Sequence, residues 1–309
     1  MSYLVRYRFL FTLLVLAPLT GCLFRSHRVE RRLSSAKLQE ATQEQLIGFI
    51  NAQAAKVRTM NATVEITPSI GGQKKGKVTE YQNMAGYVLM RKPAMLRMIG
   101  LFPIIRNKAF DMVSDGQTFK LWVPPQNKFV IGRNDIIRPS KQPIENLRPQ
   151  HILDALLLRE IDTRDEAAVL EAGTEIVVDP QSHKHVDQAD YIIDVIRHGD
   201  RGWFLSRKIV FSRVDLLPRR QIVYDMLGNI ASDATYDNFK DYSGLMFPHY
   251  IQILRPQEEY TIGLSISKLQ LNQPLTDEQF VLQQPAGSQL VRLDQPISTA
   301  TSGNNAPTQ

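Results

Sequence analysis

Tyr260, Ile262, Leu264 and Ile266 share one side of an extended chain, with Thr261, Gly263, Ser265 and Ser267 on the other. A period of two with one apolar side predicts a strand whose sheet meets a core on one face and water on the other. Strand-like runs fill most of the chain. "ATVEIT", "KVTEYQNMAGYVLMRK", "AMLRMIG", "NKAFDMVSD", "QTFKLWV" and "NKFVIGR" come first, divided by Gly, Pro and Asn. "TEIVVD", "DYIIDVIR", "WFLSRKIVFSRV", "RRQIVYDML", "IASDATYDNF" and "FPHYIQIL" follow later. Asp115-Gly116 is a two-residue hairpin signal. Residues 198–202 and Leu227-Gly228-Asn229 supply the Gly and Asn that other tight turns need. About a dozen strands joined by hairpins predict a mainly β (α+β) fold, built as a strongly curved antiparallel sheet or open barrel.

Two stretches break this pattern with helical spacing. Thr42 and Gln45 have capping-box spacing ahead of Leu46, Ile50, Ala54, Val57 and Met60, which predicts an amphipathic helix over residues 42–60. Residues 134–173 interrupt the strands. There "RPSKQPIENLRP" is extended and proline-rich, and "QHILDALLLREI" gives a short helix with Ile152, Leu153, Leu156 and Leu157 on its apolar face. Such a helix either plugs the sheet as core or covers a cavity as a lid. From about residue 289 the chain reads "QPISTATSGNNAPTQ" near its end, and is expected to be disordered.

The N-terminus changes the setting. Arg6 and Arg8 precede an uncharged apolar run over residues 9–19, then Thr20 and Gly21, then Cys22, the one cysteine of the chain. That run is shorter than the roughly 20 residues a membrane-spanning helix needs, and reads as an export signal. "LTGC" also resembles the lipobox of bacterial lipoproteins. The resemblance implies cleavage before Cys22, acylation of its thiol and anchoring to membrane lipid. Several acyl chains, at roughly 0.8 kcal/mol per buried CH₂, hold a soluble domain stably. By the same resemblance, Leu23 permits passage to the outer membrane. The expected organisation is a signal peptide over residues 1–21, a lipidated cysteine with basic tether over 22–41, one β domain over 42–288 and a tail over 289–309.

Charge and motifs exclude more than they assign. Loss of residues 1–21 leaves 35 basic against 31 acidic residues, or +4, scattered along the chain, so no nucleic-acid partner is expected. No G-x-S-x-G, P-loop, G-x-G-x-x-G or H-E-x-x-H occurs, and His183 and His185 sit among polar neighbours as in a surface loop. No enzyme, metal site or cofactor is expected.

"GYVLMRKPAMLRMIG" followed by "FDMVSDGQTFKLWVPPQNKFVIG" resembles the LolA/LolB lipoprotein-carrier family. Gly86, Lys92, Pro93, Arg97, Asp115, Gly116, Trp122 and Pro124 carry the match. The resemblance implies an unclosed antiparallel β-barrel of about eleven strands, with an N-terminal helix and helical lids over an apolar cavity. It also implies that acyl chains of lipoproteins or lipids are the ligands; the alternative is a non-catalytic envelope lipoprotein that uses the same fold as a sensor or protein-interaction scaffold. The expected setting is the periplasmic face of the outer membrane, with a soluble periplasmic carrier as a further partner. Trp122, Ile152, Leu153, Leu156 and Leu157 are the candidate cavity or lid residues. In "IGLFPIIRN" large apolar residues crowd a Gly/Pro connection, where loops usually face water. Membrane-anchored members of the family carry a leucine on a protruding loop at this place. Leu101 is the best match and Phe102 the next candidate for touching the bilayer; the other reading of the same run is a turn folded back under a helix, or a buried strand.

Overall fold

The computed structural model describes residues 36–135, 143–178, 183–200 and 202–293. The expected signal segment, Cys22 with most of its tether, and residues after 293 lie outside the described residues. Residues 36–175 and those from 189 onward belong to one compact unit, whereas residues 176–188 belong to a second.

Among the described residues fifteen strands form one sheet: β1 (Thr59–Gly72), β2 (Lys77–Glu80), β3 (Met84–Arg91), β4 (Met95–Leu101), β5 (Lys108–Ser114), β6 (Thr118–Val123), β7 (Lys128–Arg133), β8 (Glu166–Val178), β9 (His185–Gly199), β10 (Gly202–Ser212), β11 (Pro218–Tyr224), β12 (Ile230–Asp241), β13 (Met246–Arg255), β14 (Tyr260–Leu271) and β15 (Gln289–Arg292). Their order is β15-β7-β6-β5-β4-β3-β1-β14-β13-β12-β11-β10-β9-β8, with β2 beside β1. The sheet is unclosed, since β15 and β8 are its two edges. The two halves of the chain are joined by β1 pairing β14, where Ile66 opposes Leu264 and Pro68 opposes Ile262.

The strand count exceeds the expected eleven for local reasons. "KVTEYQNMAGYVLMRK" splits into β2 and β3, because residues 81–83 leave the ladder. The stretch expected to be disordered from residue 289 instead begins with β15, which runs parallel to β7 with Leu290 opposite Phe129. Leu293 is buried beyond it, so that boundary moves past residue 293. β8 also starts at Glu166, eight residues before the "TEIVVD" run, which shortens the break between strands.

One face of the sheet carries the two α-helices of the described residues. Helix α1 (Gln43–Lys56) is capped by Thr42, whose hydroxyl accepts from the Gln45 amide while the Gln45 side chain accepts from the Thr42 amide. Leu46 and Ile50 pack on Ile193, Val195, Ile209 and Phe211, with Phe49 edge-on to Phe211 at 6.0 Å. The helix ends four residues before the expected Met60. The Asn272 side chain donates to the Lys56 carbonyl and accepts from the Arg58 amide, both at 2.8 Å. That satisfies the fraying end and turns the chain into β1, where Met60 is core. Helix α2 (Pro149–Leu156) buries Ile152, Leu153, Ala155 and Leu156 in the larger cluster formed by β1, β3–β6 and β12–β14.

The chain after β14 crosses the other face of the sheet from β14 to β7. Arg91 donates to the Leu275 carbonyl at 2.9 Å and lies over the Phe280 ring at 5.2 Å. Leu282 packs with Val113 and Phe129. Asp111, fully buried, accepts from Arg97 Nε at 3.0 Å and Nη2 at 2.8 Å and from Lys108 Nζ at 2.7 Å. Arg97 Nη1 reaches on to the Gln279 carbonyl at 2.9 Å, pinning this strap.

Candidate functional site: an apolar cavity beside helix α2

Alternation along β1, β3, β4, β5 and β14 sends Ile66, Ile70, Met84, Met98, Phe110 and Ile262 to the helix-bearing face. They do not fill the space between the sheet and α2. A cavity of about 260 Å³ remains, completed by Leu147 and Ile152 from the α2 segment, by Gln126 and by Ser69, Tyr81, Tyr260 and Thr261. Its wall is overwhelmingly apolar. Two facing glycines shape it: Gly86 pairs with Gly100 across β3 and β4. A Cβ on Gly86 would meet Ile66 Cδ1 at 2.5 Å, and one on Gly100 would meet the Phe110 ring at 2.4 Å and the Met84 sulfur at 2.8 Å. The missing side chains therefore let Ile66, Phe110 and Met84 lean over β3 and β4. Its volume is room for a short run of methylene-sized groups rather than for a whole long acyl chain.

The candidate residues separate. Ile152 lines this cavity. Leu153 is core. Leu156 and Leu157 instead line a crevice of about 50 Å³ beside α1, with Phe49, Ala54 and Phe247. Trp122 lies on the opposite face of the sheet, packed with Val113, Phe129 and Leu282 under the strap. On β6 the inward positions are Phe119, Leu121 and Val123, so Trp122 falls on the other side of a period-two strand and does not line the cavity. Arg97 shares that outer face and is occupied by Asp111.

Leu101 is the last residue of β4 and half-buried. The connection to β5 is tight: the Phe102 amide donates to the Asn107 carbonyl at 2.9 Å and the Arg106 amide to the Phe102 carbonyl at 3.1 Å. Phe102 is 36% exposed, whereas Ile104 and Ile105 are 93% and 66% exposed. The apolar tip thus consists of the two isoleucines. Position within the loop, one and two residues past Pro103, was the signal for them.

On its other flank α2 meets a polar pocket of about 250 Å³. Gln150 and Asp154 of α2, Arg159, Arg197 and Ser206 and Arg207 of β10 line it, with Gln221 and Tyr224 of β11. Gln150 donates to Asp154 Oδ1 at 2.9 Å, and Gln221 to the Asp154 carbonyl at 2.8 Å. Burial raises the Asp154 carboxyl above its usual range, although Arg159 and Arg207 pull it down. On the same helix His151 is driven down to about 3 by burial and by Arg255 and Arg148, so it is neutral at physiological pH. No group of three His, Cys, Asp or Glu placed to hold a metal occurs among the described residues, and no described helix is long and apolar enough to cross a membrane.

No protein-family model matches the chain, and comparison with curated proteins returns no match. Solved structures similar to it include a LolA superfamily protein of Nitrosomonas europaea, at 14% identity and TM-score 0.45 over 76% of this chain and 97% of that one. A domain from Vibrio parahaemolyticus described as outer membrane lipoprotein-sorting follows at 13% identity and TM-score 0.46, covering 76% and 94%. A DUF1329 family protein of Desulfovibrio piger shows 15% identity and TM-score 0.47, again covering 76% and 94%. At these identities and scores the likeness assigns neither activity nor ligand to this chain.

Proposed function

We propose that this chain is a non-enzymatic, lipid-anchored envelope protein that holds an acyl chain in the cavity beside α2. In this reading Cys22 carries the acyl anchor and the domain faces the periplasm at the outer membrane. It receives lipoproteins or lipids from a soluble carrier and passes them to the bilayer. The supporting observation is the unfilled apolar cavity between sheet and α2. A mainly apolar recess with a few polar groups is the usual form of a ligand site. Transfer needs no bond chemistry, because an acyl chain exchanges one apolar surrounding for another at about 25 cal/mol per Å². No cofactor is required.

The cavity's volume also favours a second reading. It lies below the roughly 300–1,000 Å³ typical of ligand pockets, as a scaffold or sensor that loads nothing would have it. Native mass spectrometry of the full chain carrying Cys22→Ser, expressed in a Gram-negative host, separates the two. Co-purifying acyl species that disappear in Ile70→Trp, which fills the cavity, are the expected result. A bare protein mass in both variants would overturn the carrier reading in favour of the scaffold.

A further inference from the structure

The polar pocket on the far flank of α2 has a composition that the fold alone does not require. Arg207 is 3% exposed. Its Nη1 donates to the Arg159 carbonyl at 2.7 Å, and its Nη2 to the Glu160 carbonyl at 3.0 Å and to Glu166 at 3.1 Å. Those bonds tie the chain after α2 to β10. Its Nε, also buried, has no hydrogen-bond partner among the described residues. Arg197 on β9 contributes a second guanidinium to the same pocket, exposed and engaged by no side chain that the structure shows. Arg159 is the third, paired with Glu166.

Charge then decides what the pocket suits. Three guanidiniums face two carboxylates, Asp154 and Glu166, and Glu166 is already shared between Arg159 and Arg207. Burial raises the Asp154 carboxyl above its usual range, which lessens its repulsion of an anion. A guanidinium matches the oxygens of phosphate and carboxylate groups in geometry as well as charge.

We propose that this pocket binds an oxyanion of the phosphate class, held by Arg197 in front of the buried Arg207 guanidinium with Gln150 beside it. The site is independent of what the apolar cavity holds. Two sources offer the same chemistry, a free anion and the phosphodiester of a lipid headgroup.

Calorimetric titration of the full-length Cys22→Ser protein with inorganic phosphate, dihexanoyl phosphatidylglycerol and the phosphate-free dihexanoylglycerol tests the site and its source. Phosphate or phosphatidylglycerol should bind, and Arg197→Glu should weaken that binding by about tenfold or more. The variant's melting temperature and its dihexanoylglycerol binding should be unchanged, because Arg197 supports no other group. Arg197→Lys should recover part of the loss. Tighter binding of phosphatidylglycerol than of both phosphate and dihexanoylglycerol would assign the site to a headgroup. Phosphate binding without that preference would assign it to a free anion. Absence of binding by both phosphate-bearing probes, or binding that Arg197→Glu leaves intact, would overturn the proposal. Dihexanoylglycerol reports on the apolar cavity alone, so failure there bears on the carrier reading and not on this one.

Discussion

Asp111 is the residue where a single charge holds the most structure. Its carboxylate is fully buried on the outer face of β5 and is shared by Arg97, itself mostly buried, and Lys108, about half exposed. Removing one member of a buried ion pair leaves the partner desolvated and uncompensated, which typically costs about 3–5 kcal/mol. Lys108's exposure lets it turn to water, so the loss falls on Arg97 and on its bond to the Gln279 carbonyl. Asp111→Ala should destabilise the domain by about 3 kcal/mol in urea unfolding. A change below about 0.5 kcal/mol would mean that the strap is held by its apolar contacts alone. The same residue shows what single positions reveal in a sequence. Arg97 and Trp122 were visible as motif members, yet only the face of Trp122 was legible. On β6 the exposed Thr118 and Lys120 mark the side that Trp122 shares. On β4 and β5 the outer side carries Ile99, Ala109 and Val113 beside Arg97 and Asp111, so alternation there gave no uniformly polar side to orient by.

At the scale of elements, the reading was most accurate where local chemistry decides. The Thr42–Gln45 capping box and the Asp115-Gly116 turn involve neighbours only, and both form: the Asp115 carboxylate accepts from the Gln117 and Thr118 amides at 2.9 and 2.7 Å. The end of α1 depended on Asn272, more than two hundred residues away, and could not be seen from residues 42–60. The β4–β5 loop is a case between these. Its apolar anomaly was plain in the sequence, but which residues reach outward was settled by the turn through Pro103. Every strand from β4 to β9 in the sheet order runs antiparallel to its neighbours, so the turns after β4, β9 and β11 share one end of the sheet. Trp203, Met226 and Leu227, all exposed, sit at that end beside the latter two turns. A double variant, Ile104→Asp with Ile105→Asp, should leave unfolding within about 0.5 kcal/mol of the parent, since both side chains are in water. Flotation with phosphatidylglycerol-containing liposomes should show loss of membrane association by the Cys22→Ser protein. Association unchanged from the parent would remove the loop from the membrane reading.

The whole sheet depends on contacts that no window of sequence contains. β1 meets β14 across some two hundred residues, and the chain beyond β14 passes over β3–β6 to add β15 beside β7. "QLVR" is short, largely polar and close to a low-complexity end, so its strand exists only because β7 offers an open edge; on its own the sequence pointed to disorder. The strap also shields one end of the unclosed sheet. An uncovered edge and an apolar outer face would invite other chains, and β15 and Leu282 cover both at β7. Ending the chain at residue 276 should therefore do more than remove a tail. It deletes Phe280 from over Arg91 and Leu282 from Val113 and Phe129, uncovers Trp122 and leaves β7 as a bare edge. Fully burying a side chain of this kind is worth about 1.5–3 kcal/mol, so two together put the loss at about 3–6 kcal/mol, comparable with the stability of a whole domain. The truncated protein should bind a hydrophobic dye, shift Trp122 fluorescence to longer wavelength and elute as oligomers in gel filtration. The point variant Phe280→Ala should show the stability loss without the oligomers, because β15 still covers the edge. A truncated chain that stays monomeric and dye-free would show that the outer face of β4–β7 is stable in water without its strap.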